Sequence, residues 1–317
     1  MNSLKTKPVK KKNYKYRQRI RKSDIQLLLL QVPSLIYIFI FNYIPMYGIV
    51  IAFKKFNPSK GIFKSEWVGL KNFEFLFTSN DLWRITRNTV LYSLDFLFVG
   101  NICAIIVAIL LYNLRSRRMV KLYNTIMILP TFISIVIVSY IVYGLLNPAS
   151  GVFNRLLVEW GYSKVDWYAD PKPWPVILTV VDVWRDVGLG CILYYAALMG
   201  IDSDLFDAAK IDGANKVQQT WYIAVPELTS VVAIRIIQGF GGLFSGDFGL
   251  FYQVTRNSAA LYSTTDILNT YTFRALMQDN NIATSSAVGF AVSVVGLFMI
   301  IFVNGVVRKI SYENRLF

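Results

Sequence analysis

Six stretches of mainly apolar residues, at about 27–53, 88–112, 122–146, 175–200, 226–244 and 284–307, govern what this 317-residue chain can become. Most reach the roughly 20 residues that a bilayer crossing requires, and within a bilayer a helix satisfies its backbone polar groups inside a single segment. The expected architecture is an all-α membrane protein with six transmembrane helices. Charged residues make up 16% of the chain, against about 25% in soluble domains.

Charge distribution sets the expected orientation. Residues 1–26 form a basic tail in which Lys5, Lys7, Lys10, Lys11, Lys12, Lys15, Arg17, Arg19, Arg21 and Lys22 stop where the first apolar run begins. Such a block holds the N-terminus in the cytoplasm and rests on anionic membrane lipid. No RNA-binding motif follows it, so nucleic acid is not an expected partner. Arg115, Arg117, Arg118 and Lys121 between spans two and three, and Arg308 and Lys309 after span six, fall on the same side. Both termini are therefore expected inside, with Trp160, Trp167 and Trp174 anchoring the opposite interface. The organisation reads as a basic tail (1–26), a first span with its outer loop (27–87), a transmembrane domain (88–307) and a cytoplasmic tail (308–317).

Whole classes of chemistry drop out. The chain has no His, so imidazole acid–base catalysis and His-liganded metals are excluded. Its two cysteines, Cys103 and Cys191, lie inside apolar spans and build no disulfide framework. There is no GxxxxGK[ST] phosphate cradle, so the chain cannot hydrolyse ATP alone. No enzymatic activity, cofactor or metal is expected of this chain.

Ionisable residues within the spans are the candidate pathway. Asp182, Trp184, Arg185 and Asp186 interrupt span four, and Arg235 and Gln238 interrupt span five. A charge at mid-bilayer costs about 2.5–3.5 kcal/mol on insertion scales, so these side chains face a cavity, a partner or the interface. Trp184 offers a flat apolar face, while Asp182, Arg185, Asp186 and Gln238 offer hydrogen bonds to a polar ligand. Phe240, Phe244 and Asp247 extend the wall at the outer end of span five. The competing reading makes Arg185 a structural tie to Asp182 or Asp186, lets Arg235 reach toward the cytoplasm, and has Asp247 cap the outer loop. Gly239, Gly241 and Gly242 give span five a face for close helix packing.

Between spans four and five, residues 202–226 form a soluble-looking island. Asp202 or Ser203 N-caps a helix whose first turns carry Asp204 and Asp207, where the helix dipole favours negative charge. Leu205, Phe206 and Ile211 are expected to anchor it, while Ala208, Ala209 and Gly213 leave a face almost bare of side chain. Gly213 reads as the stop, and Pro226 as first-turn residue of the next helix.

The run Asp207-Ala208-Ala209, three residues, Gly213, nine residues, then Ile223-x-Val225-Pro226 resembles the EAA loop of ATP-binding-cassette (ABC) importer permeases. One position departs: Asp207 stands where family members usually carry Glu. Arg87-Asn88-Thr89, Ile128-Leu129-Pro130, Trp184 with Gly188, and Ala197-Leu198 with Ile201-Asp202 are similar to carbohydrate permeases of the maltose-type class. Met46-Tyr47-Gly48, Ala52-Phe53, Trp67-Val68-Gly69-Leu70 and Asn72-Phe73 resemble the LplB-like subfamily, which imports oligosaccharides or polysaccharide fragments.

The resemblance implies a type I importer (MetI-like) fold in a prokaryotic plasma membrane. It implies that Asp207, Ala208, Ala209, Gly213 and Pro226 couple the chain to a separate ATPase dimer, which binds ATP and Mg. A second EAA-bearing permease and an extracellular solute-binding protein complete the implied assembly. Neutral sugars, uronate oligosaccharides and another solute such as glycerol phosphate stay open. A secondary transporter is the alternative outside this class, although no inverted repeat is visible.

Overall fold

The computed structural model describes residues 22–74, 80–278 and 281–310. The basic tail ahead of Lys22 and the chain after 310 lie outside the described residues. The chain separates into two compact units, residues 1–49 and 50–317.

The first unit is helical where described. Helix α1 (Lys22–Ile38) passes into a π-helical turn at Phe39–Tyr43 and then a 3₁₀ stretch beginning at Ile44. The change of helix type falls beside Pro45, whose ring removes an N–H and crowds the carbonyl four residues earlier. Pro33 lies within α1 itself.

Early in the second unit a small hairpin forms, with a helical turn at Gly61–Lys64 between its strands and a 3₁₀ turn at Lys71–Phe73 after them. Lys54–Lys55 (β1) pairs antiparallel with Glu66–Trp67 (β2), Lys54 opposite Trp67. Asn72 Nδ2 donates to the carbonyls of Ala52 and Lys54, at 2.9 Å each, and so closes the hairpin. Phe53 stacks on Trp67 with centroids 5.7 Å apart and meets Phe73 and Phe290 at 5.4 Å each. Scattered resemblance positions are thereby gathered into one aromatic cluster.

Helix α2 (Asn80–Tyr112) begins eight residues ahead of the expected span, so Arg87, Asn88 and Thr89 lie inside it. The third apolar stretch is broken: α3 (Arg117–Ile128) and α4 (Ile135–Leu146) meet at 97° across the Pro130 turn. After a short helix, α5 (Val152–Glu159), comes α6 (Trp174–Met199). The loop helix α7 (Ser203–Ile211) follows.

The fifth stretch is helical from Lys216, ten residues before Pro226. Lys216–Glu227 leads into α8 (Thr229–Gly241) through a 51° bend. Pro226 thus sits at a bend within a helical run, not at its start. Helices α9 (Leu268–Met277) and α10 (Ile282–Ile310) complete the unit.

Among the described residues, three helices suit a membrane crossing by length and composition, or up to five if each bent pair counts as one span. Helix α6 is excluded from that count by Asp182, Arg185 and Asp186, yet its 26 residues extend roughly 39 Å at about 1.5 Å per residue. It packs along α2 as the principal helix pair.

Packing concentrates at the two ends of this pair. At the Trp174 end, Tyr92, Val138, Val142, Trp174 and Leu178 enclose Leu250, Phe251, Val254, Leu261 and Ile267. Residues 250–267, between the fifth and sixth apolar stretches, thus supply five of the buried side chains of this core. Trp174 is fully buried, correcting its expected interfacial role, whereas Trp160 is 70% exposed. At the α7 end, Ala104, Ala108, Cys191, Tyr194, Leu198, Phe206 and Leu228 pack together. Within a bilayer such contacts rest on van der Waals fit, which favours small residues. A Cβ on Gly239 would come within 2.4 Å of Leu97, and one on Gly241 within 2.8 Å of Ile300, so α8 uses these glycines to close on α2 and α10.

Candidate functional site

Helix α7 is defined at both ends by its own residues. The Asp202 side chain accepts from Asp204 N at 3.0 Å as N-cap. At the other end Ala214 N donates to Ala209 O (2.9 Å) and Gly213 N to Lys210 O (3.1 Å). This double closure is the Schellman motif, which needs a left-handed residue at its turn. Gly213 supplies it at φ +82°.

Two residues later a second device takes over. Asn215 Oδ1 accepts from Gln218 N (2.9 Å) while Gln218 Oε1 accepts from Asn215 N (2.8 Å). This capping box starts the next helix. Its pattern, Asn-x-x-Gln, is present in the sequence and marks the helix start that apolar periodicity placed too late.

The anchoring of α7 differs from expectation. Phe206 alone is buried, 5.8 Å from the Tyr112 ring. Leu205 and Ile211 are 48% and 87% exposed, and Ala208, Gly213 and Pro226 are exposed too. Ala209 is half-buried. Two apolar side chains and a nearly bare backbone therefore share the solvent side. Asp207 forms a 2.6 Å ion pair with Lys210 one turn along, both partners well exposed. An exposed i,i+3 pair is worth only a few tenths of a kcal/mol, so Asp207 stays available.

The ionisable residues of span four converge. Arg185 Nη2 lies 2.7 Å from Asp247 Oδ2 and 3.1 Å from Asp186 Oδ2, its side chain 17% exposed. Asp247 Oδ1 also accepts from Leu250 N at 3.0 Å. Asp247 thus ties α6 to the π-helical turn Leu250–Val254 and caps that turn as well. Thr131, in the break between α3 and α4, donates its hydroxyl to Arg185 O at 2.7 Å.

Beneath this tie is a cleft of about 190 Å³, lined by Phe96 and Gly100 of α2, Asp182, Asp186 and Gly190 of α6, and Arg235 of α8. Asp182 is buried. Arg235 is held within the bundle instead of reaching freely toward the cytoplasm: its Nε donates to Asn101 Oδ1 at 3.3 Å, and Tyr194 OH donates to the same oxygen at 2.7 Å. Asp95 accepts from the Thr179 hydroxyl across the α2–α6 contact.

The other pathway candidates are scattered. Trp184 is 41% exposed on a different side of α6 from the buried Asp182. Gln238 is exposed, and Phe240 is half-buried. Phe244 packs against the Ile85–Leu268–Val288 cluster. The structure brings together Asp182, Arg185, Asp186 and Asp247, and adds Arg235 and Asn101.

A helical bundle that turns a small-residue helix out from one end, and holds an ion-paired polar cleft between its long helices, is built as a permease of the importer class. Residues 100–312 match the binding-protein-dependent transport system inner membrane component family, and the chain belongs to it. It is 33% identical to protein LplB of Bacillus subtilis (strain 168) over 294 residues, 92% of either chain. It is also 33% identical, over 289 residues, to the polygalacturonan/rhamnogalacturonan transport system permease protein YteP of the same strain, covering 91% of this chain and 89% of that one. A solved bacterial alginate ABC transporter, in complex with an alginate pentasaccharide-bound periplasmic protein, matches with a TM-score of 0.82. That match has 30% identity and covers 91% of this chain and 96% of the other.

Proposed function

We propose that this chain is the permease subunit of an ATP-driven importer that carries oligosaccharides across a prokaryotic plasma membrane. The observation that carries the reading is α7: a capped helix with an exposed Asp207-Ala208 face, closed at Gly213, in a family member whose relatives include a polysaccharide-fragment permease. A separate ATPase docks on that face, placing the α7 end in the cytoplasm. A second permease chain and an extracellular binding protein complete the assembly.

Substrate passes beside α6, where Asp182, Arg185, Asp186 and Asp247 offer hydrogen bonds and Arg235 of α8 adds a second cation to the three carboxylates. Alternating donors and acceptors suit sugar hydroxyls. A phosphate substrate calls for several converging cations, and here three carboxylates surround Arg185 and Arg235. The Arg185–Asp247 pair closes this route when no sugar is present, and rigid-body displacement of α7 and its flanking helices opens it.

The test is reconstitution of the chain with its partner permease, ATPase and binding protein in liposomes. Oligosaccharide uptake should require ATP and should be lost with Gly213→Arg while the chain stays in the membrane. Normal uptake by that variant would remove α7 from the mechanism. Uptake that follows an ion gradient and ignores ATP would replace the importer reading with a secondary transporter.

A further inference from the structure

The π-helical turn that begins beside Asp247 ends in a conformation that side chains avoid. Arg256 and Asn257 are the non-glycine residues with positive φ among the described residues, at 56° and 48°. Asn tolerates this region, but an Arg there costs about 1–2 kcal/mol, and such positions cluster at ligand sites. The turn is held by its surroundings: Asn257 N donates to Tyr252 O at 3.1 Å, Tyr262 OH to Asn257 Oδ1 at 3.0 Å, and Tyr168 OH to Val254 O at 3.3 Å.

This conformation aims Arg256 at tyrosines. Its guanidinium carbon lies 4.3 Å from the Tyr143 ring centroid and 5.9 Å from that of Tyr140. Among the described residues no carboxylate pairs with it, in contrast to Arg185 and Arg274. Arg256, Tyr140, Tyr252, Gln253 and Asn257 line a cavity of about 230 Å³, separate from the cleft beside Asp182. No acidic residue lines it.

We propose that this cavity is a reception site for a carboxylate-bearing sugar unit at the end of an oligosaccharide. Arg256 grips the carboxylate with its planar fork of donors, a geometry that matches carboxylate oxygens two at a time. Tyr140 and Tyr252 supply flat apolar faces, and Gln253 and Asn257 supply amide groups for hydroxyls. The volume lies below the roughly 300–1,000 Å³ of sites that enclose a drug-sized ligand, so it receives one end of a chain. From Arg256 the chain of the turn leads back nine residues to Asp247 and the Arg185 tie. The site rests on the oligosaccharide reading above and adds acidity as its criterion of choice.

The experiment titrates the full chain, in phospholipid nanodiscs, with trigalacturonate and with its carboxyl-reduced trimer. Arg256→Gln should raise the half-saturating concentration of trigalacturonate at least tenfold and leave the reduced trimer unchanged. Arg256→Lys should recover part of the loss, and Arg155→Gln, which removes an exposed cation outside the cavity, should bind as the wild type does. Unchanged trigalacturonate binding by Arg256→Gln overturns the site, as does an equal loss for Arg155→Gln. Equal loss of both trimers, together with lost capture of the binding protein, overturns it in favour of a docking contact. ATP-driven uptake of both trimers by the assembled wild-type transporter, with Arg256→Gln unaffected, removes the site alone. Uptake of neither trimer removes the oligosaccharide reading with it.

Discussion

Gly188 of α6 approaches the end of α3 so closely that a Cβ at this position would lie 2.0 Å from the carbonyl oxygen of Met127. The obstacle is backbone, which cannot rotate away as a side chain can. Overpacking of this kind costs about 1–3 kcal/mol where neighbours can shift, and here the shift would carry Thr131 off Arg185 O. Gly188→Ala should lower the melting temperature in detergent and slow uptake. A variant with wild-type melting and uptake would show that α3 gives way freely.

The tie between Arg185 and Asp247 predicts a measurable coupling. Contacting charges couple by roughly 0.5–3 kcal/mol in double-mutant cycles. Arg185→Gln and Asp247→Asn, combined, should destabilise less than the sum of the single changes by an amount in that range. Either single change should also raise ATP hydrolysis in the absence of sugar, because the closed route loses its latch. Strict additivity would mean that the pair holds nothing.

Asn154 makes a third expectation. It is fully buried, and it links Pro148 O, Val165 O, Val165 N and Trp167 Nε1 with bonds of 2.8–3.2 Å. Removing one partner from a buried hydrogen bond costs about 1–3 kcal/mol. Asn154→Ala should free the segment between α5 and α6, read as protease cleavage between residues 160 and 173. Asn154→Asp, which keeps the acceptor but not the donors, should fall between the two.

Tyr168 predicts an alkaline limit. Burial of the phenol pushes its pKa up from 10 to about 12, and the nearby Arg256 charge opposes that rise. The native state therefore holds this proton more tightly than the unfolded chain does. Stability from Tyr168 is complete below pH 10 and lost as pH climbs toward 12. Tyr168→Phe should flatten that part of the profile, and Arg256→Gln should move the Tyr168 titration higher still, as read by absorbance of the phenolate.

The all-helical build and α7 were legible because lipid demands continuous apolar runs and because caps are local chemistry, while the six expected spans compare with three to five candidate crossings among the described residues. Asp202, Gly213 and the glycines of α8 act at the positions their sequence pattern marks. What escaped was set by tertiary packing. Pro130 marks a break, but the right-angled turn there goes with contacts made across the fold, Gly188 against Met127 and Thr131 on Arg185 O. Leu250, Phe251, Val254, Leu261 and Ile267 stand in short apolar groups that match no long period, so no span was read there although they form core. Arg235 looked free to reach toward the cytoplasm because Asn101 and Tyr194, its neighbours, lie 134 and 41 residues away in the chain.

Between the last turn of α7 and Lys216, the backbone N–H groups of Gly213, Ala214 and Asn215 are occupied, first by the closure onto Lys210 and Ala209 and then by Gln218. A joint of this kind has almost no play. A push on Ala208 would move the run from Lys216 to Gly241 in the same stroke, with the 51° bend at Leu228 changing its direction on the way toward Gln238 and Phe240. The same stiffness makes longer spacers here a direct probe: two glycines inserted after Gly213 should leave ATP hydrolysis running while the sugar stays where it is.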